Sequence, residues 1–331
     1  MRQIAVLFSK LLPALLALAL LPVSCIEEDL PSCRLYLAFT YDYNMLYADA
    51  FHTQVDKVDL YVFDEAGRFL FQQSDEGAAL ATGDYRMALA IRPGDYKVMA
   101  WGGARDSYNR PEMVAGQSTL TDMELFVKRE ASRVIDKELE PLWYGEIRDI
   151  HFTGKAHQTD TVNLIKDTNK VRFVFNGVTP EWKINVADYT YELIESNGYL
   201  NYDNTLREDE TLSYRPYFME AIDNGGMVEL NTLRLMADRK TRFIVTHKNT
   251  GKVVFDINLT QFLLWTAMEQ PRMGKQEYLD REDEYKIVFL FGGNTPDPGP
   301  GPDPGEGGEW LAVQININGW TWYIQEENPG L

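Results

Sequence analysis

Val58-Asp-Leu-Tyr-Val-Phe-Asp64 is the stretch that decides the fold, because its side chains alternate with a period of two. Such alternation places one set of side chains on each face of an extended strand. The next residues, Glu65-Ala66-Gly67, fit a hairpin turn in which Gly67 adopts a positive φ. The pattern therefore predicts a strand that turns back to pair with a second strand.

The same period-two pattern recurs along most of the chain. Further alternating segments are Leu35–Phe39, Tyr96–Ala100, Val171–Phe175, Phe243–Thr246, Val253–Ile257 and Ile287–Phe291. Short strands separated by Gly, Asp and Asn turns are typical of antiparallel β-sandwiches. Two segments have a helical pattern instead, Leu120–Phe126 and Thr260–Met268, the second behind an Asn258 or Thr260 cap. We expect an all-β fold with one or two short helices.

Length and composition limit the class of protein. The chain has 331 residues, of which 45% are hydrophobic and 12% aromatic, which is ample for packed cores. This length predicts two domains of ordinary size. The formal net charge is −18. Nucleic acid is not an expected partner, because phosphate binding depends on clustered Lys and Arg.

An export segment precedes the first strand. Basic residues at positions 2 and 10 accompany the nearly unbroken Leu and Ala run of residues 11–21. This run is too short for a comfortable membrane span and is typical of a signal peptide. Ser24 and Cys25 resemble the recognition site of bacterial lipoprotein signal peptidase, although Pro22 stands where such sites usually carry Leu. We expect residues 1–24 to be removed and Cys25 to be lipidated.

Acylation of Cys25 would hold the chain on a bilayer without a transmembrane helix, because two or more acyl chains anchor stably. Residues 25–33 would then form an acidic tether that contains Glu27, Glu28 and Asp29. Cys33 would have no disulfide partner. The alternative is ordinary signal cleavage nearby, which leaves Cys25 as a free thiol or in a disulfide with Cys33.

A domain boundary is predicted near His157, because the polar residues 154–160 precede a new series of strands that begins at Thr161. The two domains would be residues 34–157 and 158–331. The second contains a spacer at residues 295–309 that is rich in alternating Pro and in Gly. Such a segment cannot donate a full ladder of hydrogen bonds, so it is expected to be a solvated connection.

Beyond the spacer lies a strand pattern with four apolar residues on one face: Leu311, Val313, Ile315 and Ile317. Asn318-Gly319 then indicates a turn or bulge before a second strand. A strand pair on a long spacer is a candidate for donation to a neighbouring subunit. The alternative is that both strands fold back into their own domain. The four apolar residues are the candidate subunit-contact strand in either case.

The sequence carries no recognisable catalytic motif. The histidines at positions 52, 151, 157 and 247 match no common zinc spacing, so we expect no metal site. The chain contains no Gly-x-Ser-x-Gly elbow, P-loop or dinucleotide fingerprint, so we expect no cofactor. Carboxylates at positions 208–210 and 280–284 would suit a glycosidase only if two of them faced each other across a cleft.

Two features bear on recognition at a surface. Trp310, Trp320, Trp322 and Tyr323 could form a platform for sugar stacking. The alternation instead favours Trp320 and Trp322 on one face, where they would fill the core. Asp160-Thr161-Val162 is similar to an O-glycosylation acceptor pattern of some bacteria, which makes Thr161 a candidate glycan site.

Several stretches together resemble the FimB-like fimbrillin-associated anchor family, whose members are minor fimbrial subunits of anaerobic Gram-negative bacteria. The matching stretches are Cys25–Leu30, Val58–Asp64, Pro93–Gly102, Leu142–Gly145, Thr168–Phe173, Gln276–Tyr285 and Asn318–Thr321. The Pro/Gly spacer is the clearest insertion relative to the family pattern.

This resemblance implies two tandem transthyretin-like antiparallel β-sandwich domains, a lipidated Cys25 and no enzymatic activity. It implies an outer-membrane surface lipoprotein that anchors fimbriae, or caps them and limits their length. The implied partners are outer-membrane lipid and major or minor fimbrial subunits, held through strand-mediated contact. Two alternatives stay open: a lipidated surface carbohydrate-binding protein and a surface glycosidase.

Overall fold

The computed structural model describes residues 33–177, 179–266, 272–292, 309–317 and 320–324. The strands are, in chain order, β1 (Leu35–Thr40), β2 (Lys57–Asp64), β3 (Phe69–Glu76), β4 (Met87–Leu89), β5 (Gly94–Gly102), β6 (Tyr108–Asn109), β7 (Leu125–Val127), β8 (Val134–Ile135), β9 (Trp143–Phe152), β10 (Gln158–Lys166), β11 (Thr168–Gly177), β12 (Tyr189–Glu195), β13 (Tyr199–Leu200), β14 (Leu212–Tyr214), β15 (Phe218–Ile222), β16 (Gly225–Leu233), β17 (Arg242–His247), β18 (Val253–Asn258), β19 (Glu284–Gly292), β20 (Glu309–Ile317) and β21 (Trp320–Ile324). The helices are α1 (Phe51–Gln54), α2 (Leu259–Thr266) and α3 (Lys275–Arg281), with single 3-10 turns at Leu120–Asp122, Pro180–Trp182 and Val186–Asp188. The predicted all-β fold with short helices is confirmed. None of the helices described is long and apolar enough to cross a membrane.

The first sheet has seven strands in the order β3-β2-β5-β9-β10-β1-β4. Its β2–β3 hairpin is the one that the opening stretch predicts. The Gly67 amide donates to the Asp64 carbonyl at 2.9 Å, and Gly67 has a φ of 79°. Glycine adopts this left-handed conformation at no steric cost, so the turn closes directly behind β2.

The seven-stranded sheet folds over its own apolar face. A buried cluster, the first core, is built around Leu37 of β1, Leu60 of β2, Leu89 of β4, Val98 of β5 and Leu164 of β10. Strand β4 is the last strand in the sheet order and β2 the second, yet their side chains share this cluster. The sheet therefore closes as a sandwich around the first core. We call this part of the chain the first unit.

The second unit is a sandwich of two sheets. One has the order β15-β16-β11-β19-β20-β21 and the other the order β18-β17-β12-β14-β8. Aromatic rings from both sheets meet between them, and we call this cluster the second core. The rings of Phe173 on β11 and Phe243 on β17 stack with centroids 3.8 Å apart. Phe289 on β19 lies 4.6 Å from Phe255 on β18. Interdigitating rings of this kind hold the two sheets face to face.

The two units are joined by shared strands. Strand β7, which follows the first-unit strands along the chain, pairs with β13, and β8 pairs with β14. Tyr61 and Phe63, on the face of β2 opposite the first core, belong to the second core. The transition between the large sheets lies at Asp167, between β10 and β11, since β10 pairs with β9 and β1. The chain therefore passes from the first large sheet to the next, ten residues beyond the predicted boundary at 157/158. The two-domain division stays a prediction.

Three strand pairs among those described are parallel: β1 with β10, β11 with β19, and β8 with β14. Every other named strand pair is antiparallel. Periodicity alone does not distinguish the two directions, because side chains alternate in both.

One of the two predicted helices is wrong. Residues 120–126 form a single 3-10 turn that ends at Asp122, followed by β7. Leu125 and Val127 are fully buried, and β7 pairs with β6 and β13. Tertiary strand pairing overrides the local pattern here.

The other predicted helix is α2, over the residues described. The Asn258 side chain accepts a hydrogen bond from the Gln261 amide at 3.2 Å, as expected of an N-cap. Helix α3 was not predicted.

Candidate functional site

Strand β19 offers a continuous surface for strand pairing. Tyr285, Ile287, Phe289 and Phe291 are all buried, while the residues between them are exposed or half-buried. The buried set fills the second core, where the Phe289 ring lies 5.2 Å from that of Phe175. One side of β19 is paired with β11 in parallel. The other side is the position in the sheet that a contact strand would occupy.

Strand β20 occupies that position in this chain, between β19 and β21. Its register places Val313 opposite Phe289 and Ile315 opposite Ile287, with an irregularity between Leu290 and Phe291. Leu311 and Ile317 belong to the same strand. The structure therefore shows the strand folded back into its own chain. Its role as the subunit-contact strand stays a prediction, and residues 295–308 of the spacer lie outside the described residues.

Strand β15 forms the other edge of this sheet, next to β16 only. All five of its residues are exposed. Phe218, Met219 and Ile222 are among the exposed large apolar side chains. An edge strand of this kind presents unpaired backbone groups to another chain, so β15 is a second pairing edge that sequence reasoning did not identify.

The predicted lipid attachment residue, Cys25, lies outside the described residues. Cys33, the first described residue, is half-buried and packs against the first core. Strand β1 begins two residues later, and the amide of Arg34 donates to His157 Nδ1 at 3.1 Å. The tether is therefore joined to a fixed strand end.

Thr161 lies in the middle of β10, opposite Ala38 of β1, and is half-buried. Glycosylation there stays a prediction. The side chains of Trp310, Trp320, Trp322 and Tyr323 lie outside the described residues, so the sugar-platform alternative is not tested by their burial.

The predicted carboxylate groups are used in ion pairs between segments. Asp209 pairs with Arg129 at 2.5 and 2.8 Å, and Asp280 pairs with Arg234 at 2.7 and 2.8 Å. Each bidentate arrangement neutralises the carboxylate by two parallel hydrogen bonds. Among the residues described, no group of three or more His, Cys, Asp or Glu is placed to hold a metal ion.

A buried polar cluster lies at the transition between the two units. Asp167 is fully buried and its Oδ1 accepts a hydrogen bond from Asn204 Nδ2 at 2.9 Å. Asp167 Oδ2 and Asn204 Oδ1 have no hydrogen-bond donor within the described parts of the chain. Burial raises the pKa of Asp167 to about 7, although Arg234 and Asn204 both favour the ionised form. No sequence pattern indicates this cluster, because Asp167 resembles an ordinary turn residue between two strands.

Comparison with known proteins identifies the family. The family model of fimbrillin-A associated anchor proteins Mfa1 and Mfa2 matches residues 30–326. The minor fimbrium anchoring subunit Mfa2 of Porphyromonas gingivalis is 24% identical over 327 residues, which cover 95% of this chain and 94% of that protein.

Solved structures have the same fold. A candidate polysaccharide-binding protein from Bacteroides thetaiotaomicron is 51% identical, with a TM-score of 0.80 over 90% of this chain and 100% of that one. The fimbrial anchor protein Mfa2 from Porphyromonas gingivalis has a TM-score of 0.65 at 19% identity, over 88% of this chain and 98% of that one. That likeness shows a common fold alone. With its family match over nearly the whole chain, the protein belongs to the fimbrillin-A associated anchor proteins Mfa1 and Mfa2.

Proposed function

We propose that this protein is a non-enzymatic lipoprotein of the outer-membrane surface, acylated on Cys25, that anchors fimbriae or caps them and limits their length. Membership of the anchor family over residues 30–326 is the observation that carries the proposal. The export segment before Cys25 supplies the membrane end. The strand-pairing positions of the second unit supply the contact with the fimbrial subunit.

The contact with a fimbrial subunit is made by strand pairing next to β19. Two features support this position. The buried face of β19 is apolar along its whole length, and the strand that pairs with it comes directly after the Pro/Gly-rich spacer in the sequence. Backbone hydrogen bonds would supply affinity, and alternate side chains would supply specificity.

Lipidation is tested by Cys25→Ala, with Cys33→Ala as the matched control. The Cys25→Ala protein has no acylation site, so it and its fimbriae should appear in the culture medium. The Cys33→Ala cells should keep their fimbriae, because Cys33 carries no lipid. Fimbriae that stay on the Cys25→Ala cells would contradict the anchor proposal.

The pairing position is tested by Ile315→Lys, with Gln314→Lys as the control. Ile315 lies opposite the fully buried Ile287, whereas Gln314 lies opposite the half-buried Val288. A lysine charge paired with the buried face of β19 is costly, whereas one paired with its half-buried face is more readily solvated. Ile315→Lys should reduce retention of fimbriae while the anchor itself stays in the membrane fraction, and Gln314→Lys should not. Equal retention in both variants would place the contact elsewhere.

A lipidated carbohydrate-binding protein is the second candidate. It is supported by the 51% identical relative, which is described as a candidate polysaccharide-binding protein. Saturable binding of the purified mature chain to a surface polysaccharide, retained in Ile315→Lys, would favour this function. Release of fimbriae by Cys25→Ala would favour the anchor function, and the two results are independent.

A further inference from the structure

The first strand after the tether lies alongside β10. Strand β1 pairs with β10 in parallel over six residue pairs, from Leu35↔Gln158 to Thr40↔Asn163. Its beginning lies beside His157, in the turn between β9 and β10. Its end leads to a loop that contacts the second unit, where the Arg281 guanidinium lies 4.0 Å from the Tyr43 ring centre and 4.5 Å from that of Tyr47. Strand β1 therefore runs from the tether towards the second unit.

A second parallel pair follows along the chain. Strand β10 ends at Lys166, which forms an ion pair with Asp283 at the start of β19. The chain passes through Asp167 into β11, which pairs with β19 in parallel over eight residue pairs, from Lys170↔Glu284 to Gly177↔Phe291. The spacer begins three residues after Gly292, where β19 ends.

We propose that the two parallel pairs, β1–β10 and β11–β19, are load-bearing clamps in series between the lipid tether and the attached fibre. The inference rests on the proposed function, because it needs a membrane pull at the start of β1 and a fibre pull at the end of β19. Tension then acts on β1 at its N-terminal end and on β10 at its C-terminal end, in opposite directions. It likewise pulls β11 from its beginning and β19 from its end.

This arrangement loads the hydrogen bonds of each pair in shear. The bonds of a strand ladder run across the strands, whereas the tension runs along them. All pairs of a ladder must then yield together. Parallel strands pulled at the same end would instead be peeled apart one pair at a time. Forced rupture is governed by the unfolding barrier, and that barrier is higher when many contacts break in one step.

Side-chain packing adds to the resistance of both clamps. Leu35, Leu37 and Phe39 of β1 lie in the first core and are at most 4% exposed. Strand β1 is further held by β4 on its other side. For β1 to slide along β10, these three side chains must leave their places in the core at the same moment, since close-packed interiors do not deform continuously.

Single-molecule force measurements on the full mature chain, residues 25–331, test the first clamp. Handles are attached at the N-terminus and at Glu306→Cys in the spacer, with Cys25 and Cys33 replaced by Ser. A second protein has its first handle at Leu46→Cys instead, in the loop after β1, where Leu46 is 83% exposed. That handle pulls β1 and β10 at the same end. The N-terminal handle should give the higher rupture force, and rupture of the first unit from that handle should release roughly 450 Å of extended chain, from residues 34–166.

A reversible lock identifies the strand pair that breaks. Thr40 and Asn163 lie opposite each other in the β1–β10 register, with the Thr40 hydroxyl 2.8 Å from Asn163 Oδ1. Histidines at both positions, T40H and N163H, should bind Ni²⁺ across the pair. Bound Ni²⁺ should raise the rupture force from the N-terminal handle, and a chelator should return it to the starting value. The single variant T40H should show no such rise.

Equal rupture forces for the two handle positions would overturn the clamp proposal. So would an unchanged force in the double-histidine variant once a rise in melting temperature shows that Ni²⁺ has bound. Neither result would affect the anchor function, because retention of fimbriae is measured separately with the Cys25→Ala and Cys33→Ala cells.

Discussion

Asp167→Asn should stabilise the protein at alkaline pH, although it removes a charged residue from a buried hydrogen-bond network. The native carboxyl is fully buried, and its Oδ2 has no hydrogen-bond donor among the residues that the structure describes. An amide at this position would accept from Asn204 through its oxygen. Its NH₂ group would take the place of Oδ2. It would supply a hydrogen-bond donor where the native cluster has two acceptor atoms without one, Asp167 Oδ2 and Asn204 Oδ1. The substitution therefore satisfies buried groups that the carboxylate leaves unpaired.

The magnitude follows from the pKa of Asp167, which is about 7 in the folded chain against an ordinary value of 3.8. Between these values the folded protein holds a proton that the unfolded chain has lost, so stability falls as the pH rises. About three pKa units at ~1.36 kcal/mol each give a penalty of about 4 kcal/mol above pH 7. At pH 5 the penalty is smaller, at about 2 kcal/mol. Asp167→Asn should remove it at both values.

Urea unfolding of the wild type and the variant at pH 5 and pH 8 measures this difference. We expect the variant's advantage in unfolding free energy to be about 2–3 kcal/mol larger at pH 8 than at pH 5. Glu208→Gln is the control, because it removes an exposed carboxylate and should leave the difference unchanged. The reasoning would be refuted if the unfolding free energies of variant and wild type differed by the same amount at pH 5 and pH 8. It would also be refuted if the variant were less stable than the wild type at pH 8.

Two further substitutions test the packing of the second unit and its contact with the first. Gly225→Ala should lower the free energy of unfolding by about 1–3 kcal/mol or more, because the added Cβ would lie 1.8 Å from the Phe175 carbonyl oxygen. The control is Gly83→Ala, whose added Cβ would meet no atom within 4 Å and should have little effect. Equal melting temperatures of the two variants would disprove the clash. Arg281→Ala should lower stability by about 0.5–2 kcal/mol through loss of its stacking on Tyr43. In that variant, chymotrypsin should cut the loop between β1 and α1 faster, after Tyr43, Leu46 or Tyr47, and an unchanged rate would contradict the contact.

Period-two alternation was sufficient to predict the strands that build both cores. Val58–Asp64 and Ile287–Phe291 lie in central strands, and the buried and exposed positions of Ile287–Phe291 alternate as expected. The Gly67 turn was also predictable, since its glycine requirement is local. Motifs of this kind depend only on neighbouring residues, which a sequence displays directly.

The features that the sequence did not predict depend on distant residues. Leu125 and Val127 form a strand because β6 and β13 pair with them, and Tyr199 of β13 is far along the chain. The parallel direction of β1 and β10 is set by chain topology, which periodicity does not record. Asp167 became distinctive only when folding placed Asn204 beside it and excluded solvent.

The shared strands also determine the order in which the molecule can be made. Synthesis proceeds from the N-terminus, yet β8 acquires its neighbour only when Tyr214 has left the ribosome. At roughly 5–20 residues per second, the interval after Ile135 is about 4–16 s. Until Tyr199 and Leu200 of β13 follow, Phe126 and Leu125 also lack their pairing partners. The nascent first half should therefore require chaperone protection until its second half arrives.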